Sequence, residues 1–173
     1  MKNLILISAT LAMTACVSYT PTPEQIKSSS DAGERYFKAK RENILIASCW
    51  YTQSCERMFG LTKVFINQYS DMRVELSDSY SVTTFAPVIH TPNDGTAPSN
   101  LGKVSLNAVR KPGNDESSTI VLSVTCGGLE AELDVLNNAD RYNNTDPAFN
   151  HICLDKLTGI YEAFNPFIES RMR

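Results

Sequence analysis

The sequence predicts an α+β fold, in which an antiparallel meander sheet of four to five strands carries N-terminal and C-terminal helices packed on one face. Three observations support this fold class. The first part of the chain follows helical spacing, the middle part alternates apolar and polar residues with a period of two, and the last part returns to spacings of three and four. Helices that flank a continuous run of strands are typical of this class.

Two helices are predicted before the strands. Asp31 and Glu34 resemble a capping box, and the helix formers that follow predict a helix over about 32–47. Residues 44–46 would also suit the start of a strand, because they are an uninterrupted apolar run. A second helix is predicted over 56–70, where the apolar residues recur at helical spacing.

From residue 73 onward the period changes to two, which indicates antiparallel strands. Between the third and fourth strands, residues 111–115 supply proline, glycine, asparagine and aspartate, so a hairpin is expected there. The last strand alternates apolar residues with carboxylates and is therefore half-exposed. The predicted strands are 73–76, 80–88, 103–110, 118–126 and 129–135.

The C-terminal segment predicts a helix that packs on the sheet. Asp146 followed by Pro147 is typical of a helix start, and apolar residues then share one stripe over 147–164. Asn165 and Pro166 are expected to end or kink this helix, because proline cannot donate the helical hydrogen bond.

Four cysteines predict two disulfides. Cys126 lies on the core face of its strand and Cys153 on the apolar stripe of the last helix, so these two are expected to form a bridge. Cys49 and Cys55 then close a local loop; on an unbroken helix their Cα atoms would be about 9 Å apart, so the backbone between them must turn. A metal site is the alternative, but the sequence has no Cys-x-x-Cys or matching histidine spacing. No metal and no cofactor is therefore predicted.

The first sixteen residues form a charged start, a short apolar run and a small-residue stretch, ending in Met13-Thr14-Ala15-Cys16. This order resembles the signal peptide and lipobox of bacterial lipoproteins. The resemblance implies cleavage before Cys16 and lipid attachment to its thiol, and Val17, which is not Asp, implies the outer membrane. An ordinary signal peptide that is cleaved elsewhere is the alternative. The apolar run is too short to span a bilayer as a helix.

Three regions follow from this interpretation: a signal peptide over 1–15, a lipidated cysteine with a flexible linker over 16–30, and one globular domain over 31–173. Removing residues 1–15 from 173 leaves 158, which is enough for one domain. Without Lys2, 15 of the 16 basic side chains remain against 19 acidic ones, a formal charge of −4. This balance gives no electrostatic reason to expect nucleic acid.

The sequence carries no catalytic signature, so an enzyme is not expected. Its two histidines are His90 and His151, and a Cys–His nucleophile pair is not favoured because the cysteines are expected to be oxidised. Recognised hydrolase, metalloprotease and phosphate-binding motifs are missing from the sequence.

Three surface features are candidates for binding. The first is a basic cluster around two aromatic residues near the tether, which suits anionic lipid or the cell wall. The second is a row of carboxylates on the 129–135 strand, and the third is the polar loop 91–100. In each case a plain solvated or disordered surface is the alternative. The residues are Arg35, Tyr36, Phe37, Lys38, Lys40 and Arg41; Glu130, Glu132 and Asp134; and, in the loop, Asn93 and Asp94.

Together these features predict a lipoprotein of the bacterial outer membrane that faces the periplasm and is held there by its N-terminal lipid. We expect a non-catalytic protein-binding or assembly module of an envelope complex, with a protein partner. An inhibitor or immunity protein against a periplasmic enzyme is the alternative, for which loop 91–100 would enter the target. A cell-wall enzyme is a weaker alternative.

Overall fold

The computed structural model describes residues 22–89, 99–114, 116–127 and 147–173. Three helices and five strands are assigned in these residues. In chain order they are α1 (Pro23–Glu42), β1 (Ile46–Cys49), α2 (Thr52–Tyr69), β2 (Val74–Ser77), β3 (Ser81–Thr84), β4 (Val104–Pro112), β5 (Ser118–Cys126) and α3 (Pro147–Met172).

The five strands form one antiparallel sheet in the order β1-β5-β4-β3-β2, which confirms the predicted α+β fold with an antiparallel meander. Strands β2 to β5 are neighbours in chain order, and β1 is added outside β5. The β4–β5 hairpin turns at the predicted place, where the Gly113 N–H donates to the Ser117 carbonyl over 2.9 Å. The predicted strand 129–135 lies outside the described residues.

One face of the sheet packs against α2 and α3. Alternate residues of β4 and β5 point into this core, as the period of two predicts. Phe65 of α2 is fully buried there and contacts the rings of Phe164 and Phe167 of α3, with centroids 5.3 and 5.2 Å apart. The buried apolar residues of β4 and β5 are Val104, Leu106, Ala108, Ile120, Leu122 and Cys126.

Both predicted disulfides are confirmed. Cys126 and Cys153 join the end of β5 to α3, with Cα atoms 5.8 Å apart. Cys49 and Cys55 join the end of β1 to the first turn of α2, with Cα atoms 5.2 Å apart. The chain turns between them as expected, because the helix begins only at Thr52.

The first helix is placed earlier than predicted. It begins at Pro23, so residues 23–30, expected to belong to the flexible linker, are helical. Thr22 and Gln25 form the capping box that we had placed at Asp31: the Thr22 hydroxyl accepts from the Gln25 N–H, and the Gln25 side chain accepts from the Thr22 N–H. The helix ends at Glu42, because the apolar run that follows enters β1.

The last helix continues through Pro166 to Met172, so of the two outcomes expected at the proline, an end or a kink, the end is wrong. The apolar stripe extends beyond the proline, since Phe167 and Ile168 are both buried against the core. Pro166 itself is exposed. Burial of this extra turn offsets the hydrogen bond that proline removes.

Candidate protein-binding surface

Half of the side chains predicted to bind or to carry the lipid lie outside the described residues, and their roles stay predictions. This holds for the lipidation site, the polar loop and the carboxylate row. The residues concerned are Cys16, Asn93, Asp94, Glu130, Glu132 and Asp134.

The basic cluster on α1 is divided between the interior and the surface: Tyr36 is buried, whereas Arg35, Phe37, Lys38 and Arg41 line one open pocket together with Glu34. Tyr36 is buried and contacts the ring of Tyr161 on α3, with centroids 5.9 Å apart. Arg35 makes an exposed ion pair with Asp155 over 2.8 Å. Lys40 lies over the Tyr36 ring at 5.8 Å from its centroid. Part of the cluster therefore holds α1 against α3, and Tyr36 does not face the surface, whereas Phe37 lies at the open pocket and its predicted role stays a prediction.

His151 and Cys153 do not form a nucleophile pair. Cys153 is bonded to Cys126, so it cannot act as a thiolate beside His151. Within the part of the chain that the structure describes, no group of three or more His, Cys, Asp and Glu side chains is placed to hold a metal ion. None of the described helices is long and apolar enough to cross a membrane.

Strand β1 presents an open backbone edge. The Leu122 N–H of β5 donates to the Leu45 carbonyl over 2.9 Å. Because backbone groups of an antiparallel strand point alternately to its two sides, those of Ile46 and Ser48 point away from β5. Neither residue forms a backbone hydrogen bond outside the strand pairing in the described part of the chain. These outward-pointing N–H and C=O groups can form hydrogen bonds with another strand.

The opposite edge of the sheet, β2, differs in two respects. Its pairing with β3 is interrupted by a register shift between Val74 and Leu76, which bends the strand. It also carries Glu75 and follows Arg73, and charged side chains discourage further strand pairing. The chain therefore protects one edge of the sheet with a bulge and charges, whereas β1 has neither feature.

The turn after β1 exposes two aromatic side chains. Trp50 is 67% exposed and Tyr51 is 73% exposed. The turn is held by the Cys49–Cys55 disulfide and by the Ser54 hydroxyl, which donates to the carbonyls of both Trp50 and Tyr51. These bonds constrain the backbone from which the two rings project.

Tyr51 has an unusual backbone conformation, with φ 71° and ψ 137°. A side chain with a Cβ rarely adopts this region, and such a residue typically costs about 1–3 kcal/mol. Its side chain is exposed, so burial in this chain does not compensate for the strain. Strained residues of this kind are concentrated at functional sites.

Apolar side chains continue along the same edge. Ile44 is 63% exposed and Ile46 is 44% exposed. On the sheet face opposite the helices, Ile46 lies beside Val121, which in turn lies beside the half-exposed Val109. We call Ile44, Ile46, Ser48, Trp50 and Tyr51 the β1 edge surface; no charged residue occurs over 43–51.

The described groups with shifted pKa values lie elsewhere in the fold. Burial would raise the pKa of Asp71, but hydrogen bonds from Lys156 and from the Val104 N–H outweigh it and hold the pKa below its ordinary value. Hydrogen bonds from the N–H groups of Tyr80 and Ser81 lower the pKa of Asp78. Burial raises the pKa of Tyr161.

The chain matches no protein-family model, no curated protein and no solved structure. The candidate site therefore depends on the geometry alone. The β1 edge surface was not predicted from the sequence, although two signals were present: the possible strand start at residues 44–46, and the turn required between Cys49 and Cys55. Together they place two aromatic residues on a constrained turn beside a short strand.

Proposed function

We propose that this chain is a non-catalytic protein-binding module of a bacterial envelope complex, anchored in the outer membrane through Cys16 and facing the periplasm. The β1 edge surface is the observation that carries the proposal. It combines backbone groups that are unpaired among the described residues with exposed apolar and aromatic side chains on a constrained turn.

The residue types of this surface suit protein binding. Tryptophan and tyrosine are enriched among the few interface residues that contribute most of the affinity. A partner that covers Trp50 and Tyr51 removes their large aromatic surfaces from water. This burial stabilises the complex by about 25 cal/mol for each Å² of apolar surface. Because the disulfide and Ser54 already constrain the turn, little backbone conformational entropy is lost on binding.

The short stretch of sequence between Cys16 and α1 supports a binding module that lies close to the membrane. From residue 16 to the helix start at residue 23 the chain advances by seven residues, which span at most about 25 Å. The folded part would therefore be held within this distance of the lipid. Binding partners in or beside the same membrane are the ones that such a short tether favours.

The anchor can be tested apart from the binding surface. Replacing Cys16 with serine should release the protein from the membrane fraction, because the acyl chains would no longer be attached. The measurement is fractionation of cells with the intact mass of the product. A Cys16→Ser protein that stays in the membrane at an unchanged mass would show that the lipoprotein assignment is wrong.

The binding surface can be tested by photocrosslinking in intact cells. A photoreactive phenylalanine analogue at Tyr51 should give a discrete crosslinked product that mass spectrometry can identify. The matched control places the same analogue at Tyr80, which is also aromatic and is 57% exposed on the β2–β3 turn. Products at position 51 that Trp50→Ala reduces would support the proposal. Equal or absent crosslinking at the two positions would contradict it.

A further inference from the structure

We propose that the β1 edge surface binds a second copy of this chain, so that the two β1 strands pair antiparallel across a twofold axis at Ala47. The inference rests on the proposed function, because it names the partner of the same surface. The result is a continuous sheet that runs through both copies.

The free backbone groups select this register. A twofold axis at Ala47 places Ile46 of one copy opposite Ser48 of the other, and these are the two β1 residues whose backbone groups point outward. Each such pair exchanges two N–H···O bonds in an antiparallel ladder. A register shifted by one residue would set outward groups of one copy against inward groups of the other.

Registers that are shifted by two residues would compete with hydrogen bonds that already exist within each chain. An axis at Ile46 places Ser48 opposite Ile44, whose carbonyl already accepts a hydrogen bond from the Asn165 side chain over 2.9 Å. An axis at Ser48 places Ile46 opposite Trp50, whose carbonyl accepts from the Ser54 hydroxyl. The axis at Ala47 forms its two central pairs from groups that are free in the described chain.

The side chains are complementary in the same register. Ile44 of one copy lies at the level of Trp50 of the other, and both are more than 60% exposed in the single chain. The two Ile46 side chains lie on the same sheet face at diagonal positions about 7–8 Å apart, within reach of each other. Pairing therefore buries apolar side chains on both sides of the axis.

Charge favours this edge for self-association. A twofold pairing brings each segment against a copy of itself, so any charge near the axis meets an identical charge. Residues 43–51 carry no charged side chain, and no such repulsion arises. At the β2 edge, Glu75 would meet its own copy or a close neighbour, and like charges opposite each other destabilise strand pairing.

The pairing is short, so the membrane is expected to strengthen it. Strand β1 has four residues, so two paired β1 strands would bind each other weakly in dilute solution. Two copies anchored in one membrane meet at a much higher effective concentration. We therefore expect dimers in the lipidated, full-length protein and a concentration-dependent equilibrium in solution.

Cysteine crosslinking in intact cells tests the register. Two differently tagged full-length copies are expressed together, one with Ile46→Cys and the other with Ser48→Cys. These positions face each other across the axis and should form an intermolecular disulfide. Ser48→Cys alone should crosslink at least fivefold less, because its two copies are diagonal and beyond about 7 Å, the limit for a disulfide. Leu76→Cys, which is 52% exposed on β2, is the control for random collision.

Sedimentation of the purified full-length protein tests the association without a crosslink. Ile46→Lys should raise the dimer dissociation constant at least tenfold, because it places two like charges beside the axis. Val64→Lys on the exposed face of α2 is the matched control, since Val64 is 51% exposed, and it should leave the constant unchanged. Circular dichroism of both variants confirms that they are folded.

The outcomes separate this inference from the proposed function. If the mixed cysteine experiment gives dimers and Ile46→Lys weakens the association, the results support both the dimer and the proposed function. A monomer at all concentrations, with position 51 crosslinked to a different protein, overturns the inference and leaves the proposed function standing. Dimers that are insensitive to Ile46→Lys also overturn the inference. A monomer with no crosslinked product at position 51 overturns both.

Discussion

Replacing Tyr51 with glycine should stabilise the protein, although it removes a large side chain. The backbone at this residue, with φ 71° and ψ 137°, costs a residue with a Cβ about 1–3 kcal/mol. Glycine adopts this region without strain, at a cost of about 0.4–1 kcal/mol for its greater freedom in the unfolded chain. Because the side chain is 73% exposed, little burial is lost. The net expectation is a gain of about 1 kcal/mol.

Urea denaturation with both disulfides intact measures this gain. At a slope of about 2 kcal/mol per molar, a gain of about 1 kcal/mol raises the midpoint by about 0.5 M. Tyr51→Ala is the matched control, because alanine removes the ring but keeps the Cβ and therefore the strain. It should show no gain. If Tyr51→Gly is no more stable than Tyr51→Ala, the backbone at this turn is not strained and the reasoning fails.

Two further predictions concern stability elsewhere in the fold. The Cys126–Cys153 bridge spans a sequence separation of 27 and the Cys49–Cys55 bridge one of 6, so loop entropy predicts losses of about 3.5 and about 2.2 kcal/mol when each pair is replaced by alanine. Urea midpoints measured at neutral pH should show this order, and the reverse order would contradict it. The pKa of Asp71 is lowered in the folded protein, so the ionised carboxylate stabilises the fold at pH values above its ordinary pKa of 3.8. This stabilisation is lost as the pH falls below 3.8 and the carboxylate becomes protonated. Asp71→Asn should therefore show a shallower loss of stability between pH 5 and pH 3 than the natural protein, and equal slopes would contradict the shift.

Much of the fold could be predicted from local pattern, and the errors have physical causes. The period of two in β4 and β5 placed Cys126 on the core face, and this was sufficient to pair it with Cys153. The start of α1 was missed because proline and serine suggested a linker, whereas Thr22 and Gln25 provide a strong cap. The end of α3 was missed because burial beyond Pro166 outweighs the lost hydrogen bond.

The binding surface was harder to predict, because it depends on the order of strands in the sheet. Residues 46–49 form an open edge only because β5 pairs with them on one side and nothing described pairs on the other. A four-residue strand carries too little periodicity to reveal its neighbours. The exposure of Trp50 likewise follows from the turn that the nearby disulfide imposes, and the sequence indicates that turn without indicating which way it faces.

The two edges of the sheet together predict an assembly that stops at two copies. An open edge is a liability, because strand can add to strand without limit when both edges of a sheet are free. Here β2 is blunted by its register shift and Glu75, so among the described strands each copy offers β1 alone. A twofold contact through β1 uses the same surface on both copies and leaves no free edge of that kind, which closes the assembly. The hydrogen bonds at the carbonyls of Ile44 and Trp50 limit the ladder to the residues between them. The same features that permit pairing therefore also limit it to one partner and a short segment.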